Sequence, residues 1–569
     1  MRSAYLITIA VFCVFCAAWR MSEFGNIDYA VDQAFFTQWI KRLANASRFF
    51  PVEEQGARFI TSLMKDEGSF LTLFLSQIYQ AHALLFTVVS IALYLLVSSI
   101  FGASIEAIVS ASIIFSVIWL WLIAAFPILV HKTIGIDFAK AASIGLITLF
   151  IGCFNSFFNV FSAMGPHNAG VMMMVLSIII TQLWLIRLRG TASPTICSGI
   201  TVIMFVVQWA AIYTHYTNIF ILPLATVIAI ASQAGHRMTI RVTLIVQYSI
   251  ITFVAFIPAI ALALIYDNVI GGGVNTQTFG GLASAFVLTS PSELGNTATE
   301  RFVMWFNFTS FFYSAGGLAL GVIGVLGLAW RYRLTMPATV VFAHFLAGVF
   351  LQIFTQYDRT AAYLLPLLML GGGWCLSSST AWMLQTTERG TIRVVPVAAA
   401  VVSGCILLFH FSLEIPGLRS PELVHPWGRI ANHSGMKKAI ADLDKIVPEG
   451  STLMSWDYAT THQFRATTKR QLGTLLVTRP IETLVKQKKL GSLSAYIETR
   501  GLSLTSKGPL FVLAPIKISK MKIKDSLSDV LGTHGFGGQP PADIAEQRRW
   551  KFKNGKYHTN ELVLYLVRW

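Results

Sequence analysis

Ser3-Ala4-Tyr5-Leu6-Ile7-Thr8-Ile9-Ala10-Val11-Phe12-Cys13-Val14-Phe15-Cys16-Ala17-Ala18-Trp19 is an apolar run. Soon after it the chain reads Asn26-Ile27-Asp28-Tyr29-Ala30-Val31-Asp32-Gln33-Ala34-Phe35-Phe36-Thr37-Gln38-Trp39-Ile40-Lys41-Arg42-Leu43. The first stretch suits the hydrocarbon core of a bilayer. The second places two carboxylates just beyond that span and follows them with Phe35, Phe36, Trp39, Ile40 and Leu43 at near-helical spacing, the pattern of an amphipathic helix lying in the headgroup plane. Arg2 before a short apolar run also fits a cleaved signal. Cys16-Ala17-Ala18-Trp19 is a poor cleavage site, so a retained signal anchor is the reading preferred.

Composition carries this beyond the N-terminus. Of 569 residues, 54% are hydrophobic and 12% charged, about half the charge of an ordinary soluble domain, and the mean hydropathy is +0.63. Span-length apolar runs recur at Ser3–Trp19, His82–Phe101, Ala107–Val130, Ala141–Ala163, Ala169–Ile186, Thr195–Tyr213, Thr217–Ala231, Thr243–Ile265, Phe306–Trp330, Pro337–Thr355, Ala361–Met383 and Val394–Leu413. The fold class expected is a polytopic α-helical membrane protein of about 11–13 spans. From Glu414 on the runs stop and charge appears throughout, so residues 414–569 read as a soluble domain and residues 1–413 as the membrane domain. Within 414–569, Ser451–Trp456, Leu510–Ala514 and Leu562–Val567 have strand character and Met436–Ile446 and Ile481–Lys489 helical character, giving a small α/β domain.

The net charge of +16 is concentrated there, with 24 basic against 13 acidic side chains after Leu413. A basic domain held at a bilayer is drawn to anionic lipid headgroups and suits polyphosphorylated acceptors. The same charge also reads simply as a solvated basic surface. Nucleic acid is not expected, because no recognition motif accompanies the charge. All six cysteines (Cys13, Cys16, Cys153, Cys197, Cys375 and Cys405) fall in apolar segments, so no disulfide framework is expected in the soluble domain.

Orientation follows from basic residues at span ends. Arg187-Leu188-Arg189, His236-Arg237 with Arg241, Arg331-Tyr332-Arg333, and Arg389 with Arg393 mark cytoplasmic junctions. The turns at Pro166–Asn168, His215–Tyr216 and Tyr357–Thr360, the loop 266–305, the loop 20–80 and the C-terminal domain then face outward. The count fails once. With these boundaries one of Ala107–Val130 and Ala141–Ala163 has to be re-entrant, or the boundaries are wrong. Asn155 and Asn159 single out the second segment, since amides are costly in a lipid-facing span.

Asp32-Gln33-Ala34-Phe35-Phe36 resembles the Asp-Glu-Ala-aromatic-aromatic motif in the first outer loop of the C-type membrane glycosyltransferases, which take sugars from polyprenyl-phosphate carriers. Gln356-Tyr357-Asp358-Arg359-Thr360-Ala361-Ala362-Tyr363-Leu364-Leu365-Pro366 resembles that family's Arg-Tyr-Leu-Leu-Pro outer turn, with three residues inserted. Among members, the bacterial enzymes that move aminoarabinose or galacturonic acid onto lipopolysaccharide have a comparable span count and outer C-terminal domain, and protein mannosyltransferases are also similar. The resemblance implies Asp32 as the catalytic or metal-binding acid, with Gln33 where Glu is usual and Asp28 compensating four residues earlier. It implies a second acid or polar group, for which Asp137 and the Pro166-His167-Asn168 turn compete. Asp137 equally reads as a juxtamembrane charge beside Lys132 and Lys140. Arg359 is the expected lipid-phosphate ligand, or otherwise a snorkelling interfacial arginine. His215, in Tyr213-Thr214-His215-Tyr216, stands where relatives carry Lys-Tyr, and His167, Asn168, Lys41 and Arg42 are further polar candidates.

The implied chemistry is transfer of a sugar from a polyprenyl-phosphate donor to an extracytoplasmic acceptor (lipid A or lipopolysaccharide core, another glycan, or a protein). A base takes the acceptor proton, and a cation or basic side chain neutralises the departing phosphate. A divalent metal (Mg, Mn or Zn) at Asp32 is compatible with it. The expected location is the bacterial inner membrane, with residues 414–569 in the periplasm. A flippase or transporter of lipid-linked sugars would show charged or broken mid-span helices and repeats, and neither is evident. A polysaccharide polymerase or ligase would lack the first-loop acid with its aromatic helix.

Overall fold

A computed structural model describes residues 2–22, 105–155, 167–189, 199–215, 217–232, 238–269, 297–351, 362–388, 394–410, 451–457, 473–476, 509–516, 542–554 and 558–568, with scattered positions in 89–96 and 439–449. Asp28, Asp32, Lys41, Arg42 and Arg359, and the expected helix Ile481–Lys489, lie outside these residues.

Among the described residues the helical unit contains α1 (Arg2–Ser22), α2 (Ile105–Ile134), α3 (Phe138–Phe154), α4 (His167–Arg189), α5 (Gly199–Thr214), α6 (Thr217–Ala231), α7 (Met238–Val269), α8 (Ala298–Tyr332), α9 (Thr335–Leu346) with a π turn at Ala347–Leu351, α10 (Leu365–Glu388) and α11 (Val394–His410). These sequences are apolar on all sides, because each helix faces either its neighbours or lipid and every backbone polar group must be satisfied within the segment. Four of them carry stretches long and apolar enough to cross a membrane: Ser110–Ile134, His167–Leu188, Met238–Ala255 and Ala315–Tyr332. Large apolar side chains stay exposed on outer faces, among them Phe12 and Phe15 of α1, Ile203 and Val206 of α5, Ile250 and Phe253 of α7, and Val401 and Val402 of α11.

Paired contacts fix the directions of the helices. The turn between α2 and α3 is closed by Gly135 at φ +70°, which carries the chain through the left-handed region at the helix end. Asp137 then caps α3, its Oδ2 accepting the backbone N–H of Ala139 at 2.9 Å and of Lys140 at 3.4 Å. At this end Ile128, Ile136 and Ala141 pack with Tyr5, Phe138 and Tyr332, Lys140 lies 5.7 Å from the Tyr332 ring centroid, and Tyr5 donates to the Ala142 carbonyl at 2.8 Å. Gln182 of α4 reaches the same end: its Nε2 donates to the Arg333 carbonyl at 3.3 Å, and its Oε1 accepts the Met336 N–H at 3.0 Å. The start of α1, the end of α2, the start of α3 and the end of α8 therefore meet beside Lys132, Lys140, Arg331 and Arg333. This is the basic end of the bundle.

The segment expected at Ala141–Ala163 is described as far as Asn155. From the basic end α3 runs beside α10 over its length, with Gly145 against the Ala124 carbonyl, Gly373 against Thr148, and Gly152 against Leu120 and Met369. It stops at Asn155, which is buried at the opposite end as a C-cap. The polar amide terminates the helix. The outer loop expected at 266–305 is shorter, because α7 continues to Val269 and α8 begins at Ala298. A capping box starts α8, with Thr297 Oγ1 accepting the Glu300 N–H at 3.2 Å and Glu300 Oε2 accepting the Thr297 N–H at 3.1 Å.

Helices α8 and α10 lie parallel and close, because Gly321 faces Leu368, Gly324 faces Gly371 and Gly327 faces Trp374; small residues let backbones approach where lipid supplies no hydrophobic drive. Gln208 ties four helices together. Its Nε2 donates to Thr181 Oγ1 at 2.9 Å and Thr226 Oγ1 at 3.0 Å, and its Oε1 accepts from the Tyr248 hydroxyl at 2.5 Å.

The C-terminal unit is built on a five-stranded mixed sheet of order β2-β1-β3-β5-β4. Its strands are β1 (Thr452–Asp457), β2 (Gly473–Leu476), β3 (Leu510–Ile516), β4 (Asp543–Asn554) and β5 (His558–Arg568). β1 pairs parallel with β2 and β3, and β5 pairs antiparallel with β3 and β4. One face packs Leu453, Phe511, Leu513, Leu562 and Leu564 against Ala439, Leu443 and Val447, and Trp550 Nε1 donates to Asp442 at 3.1 Å. The expected strands are all present. β4 went unread because it is an edge strand of sequence Asp-Ile-Ala-Glu-Gln-Arg-Arg-Trp-Lys-Phe-Lys-Asn, whose charges blunt the alternation and guard the edge. On it Arg549 forks Glu546 at 2.6 Å and holds that carboxyl below its ordinary range.

Candidate functional site

At the end of the helical unit opposite the basic one, α4 begins, α5 ends, α6 begins and α10 is entered, and each contributes polar side chains to one buried cluster. His167 and Asn168 are the first residues of α4, His215 follows α5, Thr217 and Asn218 open α6, and Tyr363 precedes α10. None is more than 3% exposed, so each depends on its partners rather than on solvent.

The central contact is His167 Nδ1 to His215 Nε2 at 2.7 Å, with ring centroids 4.7 Å apart and edge-on. The Thr217 backbone N–H donates to His215 Nδ1 at 3.2 Å. An acceptor at Nδ1 puts the neutral ring's proton on Nε2. His215 therefore donates to His167, and the His167 proton sits on its own Nε2. The pair has a direction: amide to His215, and His215 to His167. The Tyr363 ring lies 5.4 Å from His215. Gly170, one turn into α4, has no room for a side chain between Tyr363 and His215.

Asn168 and Asn218 brace this pair. Asn168 Oδ1 accepts from Trp119 Nε1 at 3.2 Å and its Nδ2 donates to Ser112 at 3.0 Å, fastening α4 to α2. Asn218 Nδ2 donates to the Gly170 carbonyl at 3.0 Å and the Ala211 carbonyl at 2.9 Å. Asn218 Oδ1 and the Thr217 hydroxyl have no hydrogen-bond partner among the described residues. A buried acceptor and a buried hydroxyl without partners beside a histidine donor can receive a polar ligand group that brings both donors and acceptors, as a sugar phosphate does.

The structure thus brings together His167, Asn168 and His215, which the sequence offered separately. It sets Asp137 apart. His167 and Gln182 are separated along α4 by about 22 Å at about 1.5 Å per residue, and Gln182 marks the basic end where Asp137 caps α3. The His167-Asn168 turn lies in this cluster and Asp137 does not. Thr217, Asn218 and Tyr363 were not among the residues singled out. Their signal was visible, since Thr217-Asn218 are polar residues opening an apolar span. For a divalent metal the described cluster does not fit. It supplies two ring nitrogens already bonded to each other, and no group of three or more His, Cys, Asp or Glu gathers among the described residues. The residues the sequence offers for a metal, Asp32 and Asp28, lie outside them.

No protein-family model matches the chain, and no curated protein matches it in sequence. Solved structures do match. ArnT from Cupriavidus metallidurans in the apo state superposes with a TM-score of 0.53 at 10% identity, over 99% of this chain and 98% of that one. The archaeal oligosaccharyltransferase AglB from Archaeoglobus fulgidus, in complex with an inhibitory peptide and a dolichol-phosphate, gives 0.50 at 11% identity over 90% of this chain and 69% of that one. The chain has the fold of the C-type integral membrane glycosyltransferases.

Proposed function

We propose that this protein is a membrane glycosyltransferase that moves a sugar from a polyprenyl-phosphate carrier to an acceptor on the extracytoplasmic side. The observation that carries the reading is the full-length likeness in fold to ArnT, joined to a buried histidine cluster at the end of the bundle opposite the basic residues. Of the proteins sharing the fold, AglB has been captured with dolichol-phosphate, a lipid-linked phosphate of the expected donor class. The basic end is cytoplasmic by the positive-inside rule, which turns the histidine end outward and agrees with an inner-membrane enzyme working on the periplasmic side. The basic C-terminal unit then contacts anionic headgroups or a phosphorylated glycan.

In this reading Asp32, with Asp28 nearby, takes the proton from the acceptor hydroxyl as its oxygen bonds to the anomeric carbon. The bond from that carbon to the phosphate oxygen breaks, and the polyprenyl phosphate leaves with the electron pair. Arg359 neutralises the leaving phosphate, and the buried cluster around His167 is suited to bind a phosphate or sugar oxygen. Lys41 and Arg42 stay as further cationic candidates of the first loop. A divalent metal at Asp32 would serve as the Lewis acid for the phosphate; no step here depends on it.

The test is sugar transfer by purified protein with a panel of radiolabelled polyprenyl-phosphate sugars and a total-lipid acceptor extract. Transfer is expected with one donor and is expected to vanish in Asp32→Asn with expression and insertion intact. Normal turnover in that variant would remove Asp32 from the mechanism. Failure with every donor, by a folded protein that binds them, would point to a flippase or to a polymerase using diphosphate-linked oligosaccharides.

A further inference from the structure

Helix α7 is the least covered of the four membrane-crossing stretches. Of Met238–Ala255, 22% is buried, against 78% of His167–Leu188. One narrow line holds it to the bundle. Leu244, Tyr248, Thr252 and Ala255 are buried, at the spacing of a single helix face. The Tyr248 hydroxyl donates to Gln208 of α5, and its ring stacks on Phe205 with centroids 5.7 Å apart. The Ala255 carbonyl accepts from the Tyr213 hydroxyl at 2.7 Å.

The opposite face of α7 turns outward, and it is not simply apolar. Thr243, Gln247, Ile250 and Val254 are exposed and follow one another at steps of four, three and four residues, flanked by exposed Val246 and Phe253. That 3.5-residue period is the seam of a helix that pairs with another; contact with lipid demands no period. Gln247 lies in the middle of the stretch, nine residues from Met238 and eight from Ala255. That is at least about 12 Å from either end at about 1.5 Å per residue, beyond the reach of its side chain. Among the described residues of the four stretches it is the one side-chain amide left exposed, whereas Asn168 and Gln182 are buried and hydrogen-bonded. The Gln247 amide has no hydrogen-bond partner among the described residues. An amide in hydrocarbon without one is costly, and polar side chains in spans ordinarily turn inward.

We propose that the outer face of α7 pairs with the same face of a second copy of this chain, with Gln247 hydrogen-bonded to Gln247 of that copy. Symmetry and the chemistry of the amide select this occupant. The basic junctions insert every copy with the same orientation, so a two-fold axis relating two copies runs along the membrane normal. The two α7 helices then lie parallel, and each residue is level with its own counterpart. A side chain at the seam satisfies itself there only if it both donates and accepts. The glutamine amide does so, with two N–H donors and a carbonyl acceptor; a charged side chain would meet its own charge. Thr243, Ile250 and Val254 supply β-branched packing on either side of it, and one polar residue within such a seam fixes register and pairing. Interhelical bonds of this kind hold membrane helices together where lipid supplies no hydrophobic drive.

The experiment has two arms, both on the full chain in lipid vesicles. In the first, Ile250→Cys and Val254→Cys on the seam are oxidised beside Ile323→Cys, a control on the exposed face of α8. The unaltered chain, whose Cys405 is exposed, sets the background. Disulfide-linked dimer above that background is expected for the two seam variants and not for Ile323→Cys. In the second, single-molecule photobleaching counts subunits as the protein-to-lipid ratio falls, which yields a dissociation constant. Gln247→Leu is expected to raise that constant about 3- to 30-fold, and Gln247→Asn, which keeps an amide, to raise it less. Monomers at every ratio, cross-linking of Ile323→Cys equal to that at the seam, an unchanged constant in Gln247→Leu, or a seam cysteine linked to a different protein each overturn the inference. Counting the wild-type chain needs no variant to fold and no sugar transfer to occur.

Discussion

His215 makes two contacts that determine its proton. A histidine whose Nδ1 accepts a backbone N–H has only Nε2 to donate from, and His167 lies there at 2.7 Å. In the function proposed above, His215 positions His167 rather than meeting substrate first. We expect His215→Ala to keep the fold and to lower transfer about 10- to 100-fold, the usual cost of removing an orienting partner, with kcat affected more than donor KM; steady-state kinetics on the purified variant check this. Arg359 is the complementary case. If it grips the lipid phosphate in ground and transition states alike, Arg359→Ala raises donor KM with kcat largely kept, and an unchanged KM would remove it from the phosphate site. Asn168 stands where the resemblance implied an acid or a polar group. Asn168 is tied to Trp119 and Ser112 and so serves as a strut between α4 and α2.

At the scale of elements, the helices were nearly all legible, because a bilayer-depth apolar run has few alternatives. α5, α6 and α11 lie within a few residues of the runs that announced them. What the runs did not contain was which way α3 travels and where its polar end belongs. Asn155 looked like an interruption and is a terminus, a distinction that depends on Leu120 and Met369 closing over Gly152. The network around Gln208 was equally silent in sequence, since a glutamine in an apolar run does not name its partners. Gln208→Leu leaves Thr181, Thr226 and Tyr248 each without a bond now made. We expect a loss of roughly 1–3 kcal/mol, read as a lower unfolding temperature in detergent.

At the scale of the whole molecule, the helical unit gathers its polar groups at two ends with distinct chemistry, one basic and one built on neutral donors and acceptors. A lipid-linked phosphate bound at the second end would stabilise only the folded form. At a hundred times its dissociation constant, polyprenyl phosphate is expected to add about 2.7 kcal/mol, measurable as a rise in unfolding temperature that bilayer phospholipid does not reproduce. The sheet of the C-terminal unit was legible where strands are central and apolar, in β1, β3 and β5. It was hidden in β4, where solvent-facing charges mask the period of two.

Hydropathy alone determined that this chain is a bundle of membrane helices ending in a charged domain, because burying unpaired backbone in lipid is so costly that apolar runs of this length must be helical. The first-loop motif also pointed to the class of fold. Only the tertiary structure decided that His167 and His215, 48 positions apart, are hydrogen-bonded, and that Asp137 caps a helix at the far end. Those are facts about which helix ends meet. Helix ends meet through side-chain packing between segments distant in sequence, and that packing leaves no periodic trace along the chain.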